Sequence, residues 1–343
     1  MSHNLLKLFV YLLAITALLL AACSQTAAPT QPEQAATEAA QAPAEELQAA
    51  EAEEPVATEE PAATEEQPSL PPLPAAPQEL EITTADGRVL EAYYYPAAVN
   101  PAPIVVLMHW AGGDMNDWRE IAPWLQNRRD ELGSLSWSRS IAGSNSRQVD
   151  GPWLDSSWFP PMPADLSFGV LAFNFGGYGG SQAGAAADSL SEDARAAVQA
   201  AAELEGADPN QVAALGASIG ADGAVDGCYL YNASVPAGAC IGALSLSPGN
   251  FITDQFTYAE AVLPLDQAGY PVWCLTAFED YSAELCESVP DTDVYLPIFY
   301  PGNLHGMMLI QPDLYPVDPD LGVDTLVVIQ DWLEQVFGVI ISE

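Results

Sequence analysis

Basic residues are almost missing from this chain. Its 343 residues hold 8 Lys and Arg against 47 Asp and Glu, a formal net charge of −39, and the one lysine is Lys7. Such a surface repels phosphate backbones and anionic lipid, which argues against nucleic acid as a partner. Histidine is scarce too, with 3 in all. No cysteines stand at a metal-ligand spacing such as C-x-x-C, and neither a metal nor a cofactor is expected. The apolar run from Leu8 to Leu20 is too short for a comfortable membrane span, which takes about 20 residues.

That run has a recognisable setting. Lys7 precedes it and Leu20-Ala21-Ala22-Cys23 follows, so residues 1–22 read as a secretory signal with a basic start, an apolar middle and a small-residue cleavage site. The segment resembles the lipobox of bacterial lipoproteins. The resemblance implies that Cys23 carries the lipid and that the mature protein sits outside the cytoplasm on a bacterial membrane, inner or outer left open. An ordinary signal peptide with an incidental cysteine is the alternative. Residues 24–78 contain no Lys, Arg, Gly or aromatic residue and are built from Ala, Pro, Thr, Gln and Glu. Such a stretch cannot bury enough apolar surface to offset its ordering entropy, so residues 23–78 are expected to form a disordered acidic tether.

The remainder, 79–343, is long enough for one large α/β domain. Asp86-Gly87 marks a hairpin between Glu79–Thr84 and Val89–Tyr95. Apolar runs at Ile104–Met108, Phe168–Phe173, Gln211–Leu215, Cys240–Leu246, Pro271–Ala277 and Asp293–Phe299 suit strands buried on both faces. Helical segments alternate with them. Ser189-Leu190-Ser191-Glu192 reads as a capping box opening a helix to about Glu205, and Val323–Phe337 reads as a final helix. The alternation predicts a mostly parallel, doubly wound sheet of about eight strands flanked by helices. The stretch 127–164, with Trp137, Trp153 and Trp158, is too long for a plain connection and reads either as a partial lid or as a decorated loop with its own small core. Cys228, Cys240, Cys274 and Cys286 allow three pairings in an exported domain. The local ones, Cys228–Cys240 and Cys274–Cys286, are favoured over the rest and over four buried thiols.

Gly216-Ala217-Ser218-Ile219-Gly220 is a G-x-S-x-G pentapeptide between a strand-like and a helix-like run. In that setting Ser218 sits on a sharp turn that projects its hydroxyl as a nucleophile, with a plain glycine-rich turn as the alternative reading. A serine hydroxyl needs a base to take its proton, and imidazole is the usual one. His3 leaves with the signal, so the choice lies between His109 and His305. His305 follows the last strand and is the candidate base; His109 ends an early strand and suits a structural or oxyanion-loop role. A carboxylate should orient the base. Asp280, just past the strand Pro271–Ala277, is the first choice, ahead of Glu279 and Asp254.

Order and context together resemble the α/β-hydrolase fold superfamily, and within it the dienelactone-hydrolase-like branch. The resemblance rests on the Ser218 elbow, the strand-end Asp280, the late His305, the His109-Trp110 turn and Asn174-Phe175-Gly176-Gly177-Tyr178-Gly179-Gly180-Ser181. It implies a serine hydrolase acting on a small-molecule acyl substrate, above all a carboxylic ester, through an acyl-enzyme. It also implies an oxyanion hole from the backbone N–H of Ile219 with that of Ala111 or Trp110. Trp110 departs from the family's usual His-Gly, and serine departs from the cysteine of dienelactone hydrolases proper. An amidase or peptidase would use the same triad, and a catalytically silent ligand-binding lipoprotein would keep the fold without the reaction.

Overall fold

The sheet is assembled from its register outward. In this computed structural model, which describes residues 70–129, 156–186, 188–235, 240–290, 292 and 294–341, the strands are β1 (Gln78–Thr83), β2 (Val89–Tyr95), β3 (Ala102–Met108), β4 (Gly169–Phe173), β5 (Ala207–Ala217), β6 (Cys240–Leu246), β7 (Val272–Ala277) and β8 (Tyr295–Tyr300). They lie in the order β1-β2-β4-β3-β5-β6-β7-β8. β2 runs against both neighbours, and the other pairs are parallel. Every residue of β4 and of β7 is buried, as the continuous apolar runs require of strands covered on both faces. Met108, Gly216, Ser245, Cys274 and Pro297 stand in one register row, so β3, β5, β6, β7 and β8 end at a common edge. Parallel-sheet proteins build their sites beyond that edge.

Helices cover both faces: α1 (Ile121–Gln126), α2 (Ser189–Glu203), α3 (Ile219–Ser234), α4 (Tyr258–Gln267), α5 (Ser282–Glu287) and α6 (Thr325–Phe337). One core lies under α2, α3 and α4, where Ala194, Ala197, Val198 and Ala201 repeat at helical spacing against the sheet. The other lies under α1 and α6, around the fully buried Trp118 and Trp332. Asp324 caps α6 by accepting from the Leu326 and Val327 N–H groups, and Gly338 ends it at φ 64°. Among the described residues no helix is long and apolar enough to cross a membrane.

The capping box expected at Ser189–Glu192 is absent. The helix starts with Asp188 at the cap and no side-chain cap bond. Glu192 turns instead to Arg195 Nε at 2.9 Å, an attraction the four-residue pattern does not encode. A capping box with both halves formed occurs at Thr257–Glu260, opening α4.

Packing also begins earlier than composition suggests. Leu70 N–H donates to Asn100 O at 2.9 Å, and Ala75 is buried. Arg128 draws in this segment: its Nη1 donates to Leu73 O at 2.7 Å and to Ala97 O at 2.8 Å. Of the 127–164 stretch, the part that follows residue 155 packs into the second core. Trp124 Nε1 donates to Pro160 O at 2.7 Å, and Phe159 lies 5.3 Å from the Trp124 ring. Trp137, Trp153, the signal segment and Cys23 fall outside the described residues.

The cysteines are bonded locally. Cys228–Cys240 joins α3 to the start of β6 with 5.2 Å between Cα atoms, and Cys274–Cys286 joins β7 to α5 with 5.8 Å. Each closes a loop of 12 residues, which in the chain-entropy view disfavours the unfolded state by about 3 kcal/mol.

Candidate active site

The elbow after β5 is cramped, and its glycines answer to clearance. A Cβ at Gly216 would stand 1.8 Å from Gly220 O, and one at Gly220 would stand 2.1 Å from Met108 O. Ser218 takes φ 54° and ψ −115°, a conformation that L side chains rarely adopt. The turn holds because Ser218 N–H donates to Leu246 O at 2.8 Å and Ser218 O accepts from Ala221 and Asp222 N–H. Strain of this kind persists only where the surroundings impose it, here two backbones pressed against each other.

Three side chains meet beyond the strand ends. His305 Nε2 lies 2.9 Å from Ser218 Oγ, and His305 Nδ1 lies 2.8 Å from Asp280 Oδ2. Asp280 is buried, and Ser282 Oγ donates to the same Oδ2 at 2.7 Å. That carboxylate therefore faces donors only, and Nδ1 of His305 must carry the proton, leaving the Nε2 lone pair toward serine. The loop carrying His305 is pinned by Gly306 N–H, which donates to Ser247 Oγ at 3.0 Å. Glu279 and Asp254 point into solvent and do not enter the cluster. Asp280 turns inward because its N–H closes a tight turn onto Ala277 O at 3.0 Å.

His109 has a different place. It is fully buried, and burial lowers its pKa to about 4. Its Nδ1 lies 2.8 Å from Trp110 O, and Phe175 N–H donates to Nε2 at 3.1 Å, so the neutral ring locks two loops together. The Asn174–Ser181 stretch is the second of those loops. Asn174 Nδ2 donates to Glu91 Oε2 at 2.9 Å, its Oδ1 accepts from Met115 N–H at 2.8 Å, and Gly176 N–H donates to Asp193 Oδ2 at 2.8 Å. Asp193 is held in turn by Arg88 Nη1 at 2.5 Å.

Of the donors expected for an oxyanion, Ile219 directly follows Ser218. Ile219 opens α3, where a first-turn N–H has no helical acceptor. Ala111 is exposed on the loop after β3. Trp110 folds back: its Nε1 donates to Asp117 Oδ2 at 2.8 Å, and a Cβ on Gly306 would touch its ring at 3.3 Å. The indole thus packs beside the His305 loop, where the same Gly306 Cβ would also meet Ser218 Cβ at 3.6 Å. Burial raises the Asp117 pKa to about 7, against the pull of the indole N–H.

Two residues of the site have no sequence signal of their own. Asp222, in the first turn of α3, is buried and accepts from Gly249, Asn250 and Phe251 N–H at 2.8, 3.2 and 2.5 Å. Burial lifts its pKa to about 6, while those three N–H groups and His305 oppose the rise. An aspartate amid the apolar residues of α3 is the one hint the chain offers. Asp222 positions Phe251, whose ring lies 5.7 Å from Tyr281. Tyr281, next to Asp280, sets its hydroxyl 3.1 Å from His305 Nε2 with its ring 5.1 Å from the imidazole. No group of His, Cys, Asp and Glu among the described residues could hold a metal ion. A groove of about 470 Å³ runs along β1 and β2, lined by Glu79, Glu81 and Glu91; it includes no member of the cluster.

The sheet order and the elbow after β5 make this an α/β-hydrolase fold. No protein-family model matches the chain, and no curated protein does. Solved structures similar to it include an esterase of Pyrococcus furiosus, 13% identical over 76% of this chain and 91% of that one, with a TM-score of 0.47. An α/β hydrolase from a Penicillium species is 13% identical over 77% of this chain and 100% of that one, TM-score 0.47. A putative α/β hydrolase from Agrobacterium tumefaciens is 18% identical over 78% and 100%, TM-score 0.47. Likenesses at that level say nothing of substrate.

Proposed function

We propose that the chain is a serine hydrolase that cleaves a carboxylic ester through an acyl-enzyme. The observation that carries this reading is one imidazole within hydrogen-bond reach of both a strained serine and a buried carboxylate. Ser218 Oγ attacks the acyl carbon and gives its proton to His305 Nε2. The imidazolium is stabilised by Asp280, and the tetrahedral oxyanion by Ile219 N–H with Ala111 or Trp110 N–H. Collapse breaks the bond to the leaving oxygen, which takes the proton from Nε2. Water then repeats the sequence on the acyl-enzyme and frees the acid. Phe251, Tyr281 and Met308, each more than 40% exposed, give the mouth an apolar rim. In a chain whose net charge is −39, that rim suits an uncharged ester over an anionic one.

A fluorophosphonate tests the reading. One label per chain is expected, on the peptide containing Ser218, and none on Ser218→Ala. Folded protein that takes no label would overturn the proposal.

The same reading places the enzyme outside the cytoplasm, on a lipid carried by Cys23. Two disulfides support export. On expression with its leader the protein should fractionate with membranes, and Cys23→Ala should move it to the soluble fraction. Equal partition of the two forms would sink the anchor.

A further inference from the structure

The imidazole Nε2 has two hydroxyls on it and one lone pair to offer. Ser218 Oγ approaches at 2.9 Å and Tyr281 Oη at 3.1 Å. Nδ1 is committed to Asp280, so only one of the two O–H groups can donate to Nε2 at full strength. The serine must be one partner for attack to begin. The phenol then stands where a second oxygen has to arrive later, since the leaving oxygen must come within reach of the same Nε2 to collect its proton.

Tyr281 is built to stay there. Its backbone is αR at φ −62°, between the turn at Asp280 and the first residue of α5, and Ala283 N–H donates to Asp280 O at 3.1 Å. The Cys274–Cys286 bond ties α5 back to β7. The ring lies against His305 on one side, and the Phe251 ring meets it edge-on at 77°. Yet 59% of the residue is exposed, so a substrate can reach the hydroxyl from solvent. Burial of the ring, then the charges of Asp280 and Asp222, raise the phenol pKa to about 12. At neutral pH it is therefore a donor that keeps its proton.

We infer that Tyr281 is a further catalytic residue of the proposed hydrolase, donating a hydrogen bond to the leaving-group oxygen while His305 protonates it. As the bond from the acyl carbon to that oxygen breaks, the electron pair passes to the oxygen. The Nε2 proton goes to the same oxygen, and the Tyr281 O–H, held beside Nε2, donates to that oxygen and retains its own proton. The alcohol departs, and His305 returns to the neutral form. No other reactant is needed. Such help matters where the leaving oxygen is strongly basic and is nearly superfluous where it is not. The residue thus sets which esters are good substrates: those of simple alkyl alcohols come within range, beyond activated aryl esters.

The inference rests on the serine-hydrolase reading, and its test separates the two. kcat/KM, which reports acylation, is measured for wild type and Tyr281→Phe on acetate esters whose leaving groups run from p-nitrophenol through phenol to ethanol. A hydrogen bond to a charged group is worth about 1.5–3 kcal/mol, so Tyr281→Phe should lower ethyl acetate turnover about tenfold to a hundredfold. Its effect on p-nitrophenyl acetate should stay within about threefold, on the same energy scale. An equal loss on all esters would make Tyr281 a support for His305 and overturn the assignment, and so would no loss on any. Fluorophosphonate labelling of both proteins fixes which idea has failed. If both take the label on Ser218 while the leaving-group dependence is unchanged, only the tyrosine assignment falls. If wild type takes no label and turns over no ester, both fall.

Discussion

Asp280→Asn is expected to lower ester turnover by about 10⁴-fold while the protein stays folded. The carboxylate accepts from His305 Nδ1 and from Ser282 Oγ and donates nothing. An amide in its place can turn its NH2 toward Nδ1, which drives the ring proton to Nε2. The nitrogen that must take the serine's proton is then already occupied. The imidazolium would also lose its buried counter-charge. Measured kcat/KM on p-nitrophenyl acetate, with thermal melting as the control for folding, checks this. A loss below about tenfold would mean that another group orients His305. Glu279→Gln provides the contrast: that side chain is exposed and outside the cluster, so turnover should be unchanged.

Arg88→Met should be strongly destabilising. Arg88 is one of few cations in the chain, and its guanidinium ties the hairpin turn to α2. Nη1 lies 2.5 Å from Asp193 Oδ1 on α2, Nε 2.7 Å from Asp86 at the hairpin turn, and Nη2 donates to Ser189 O at 3.2 Å. The Asp193 side chain is 0% exposed. Burial already pushes its pKa upward, with Gly176 N–H and then Arg88 opposing. Removing the guanidinium strands a buried carboxylate, which costs about 3–5 kcal/mol, whereas replacing both members by apolar groups is often neutral. Denaturant unfolding should therefore show Arg88→Met down by about 3–5 kcal/mol and Arg88→Met with Asp193→Leu restored most of the way. If the single variant lost less than about 1 kcal/mol, the pair would be contributing no more than an exposed one.

The parts of this protein that can be read from the chain are those set by local pattern. Runs such as Cys240–Leu246 are strands of the same extent, because a strand buried on both faces is built almost wholly of apolar and small residues, its one hydroxyl, on Ser245, donating to Ala221 O. Scarcity of histidine made His305 conspicuous, and chain order set Asp280 beside it; those two and Ser218 are the side chains that meet. What the chain conceals depends on contacts between distant segments. Tyr281 is an ordinary loop residue until the turn at Asp280 lifts its ring onto His305. Asp222 looks like a first-turn helix acid, and only the fold brings the loop at Gly249–Phe251 onto it. At Ser189–Glu192 the local pattern misled, since Arg195 competes for the glutamate that a cap would use. The docking of Leu70–Ala75 was hidden for the same reason, because its partners Gln126 and Arg128 lie far along the chain.

The glycines around Ser218 carry one more consequence. Gly216 and Gly220 are demanded by backbone atoms within about 2 Å of a would-be Cβ, whatever occupies the position between them. Nothing in that crowding depends on the serine hydroxyl. A descendant that exchanged the serine for alanine and gave up the reaction would remain bound to the same two glycines in order to fold. The pentapeptide is thus two inscriptions with separate meanings: its glycines record an architecture, and only its middle letter, read with the histidine and aspartate that reach it, records a chemistry.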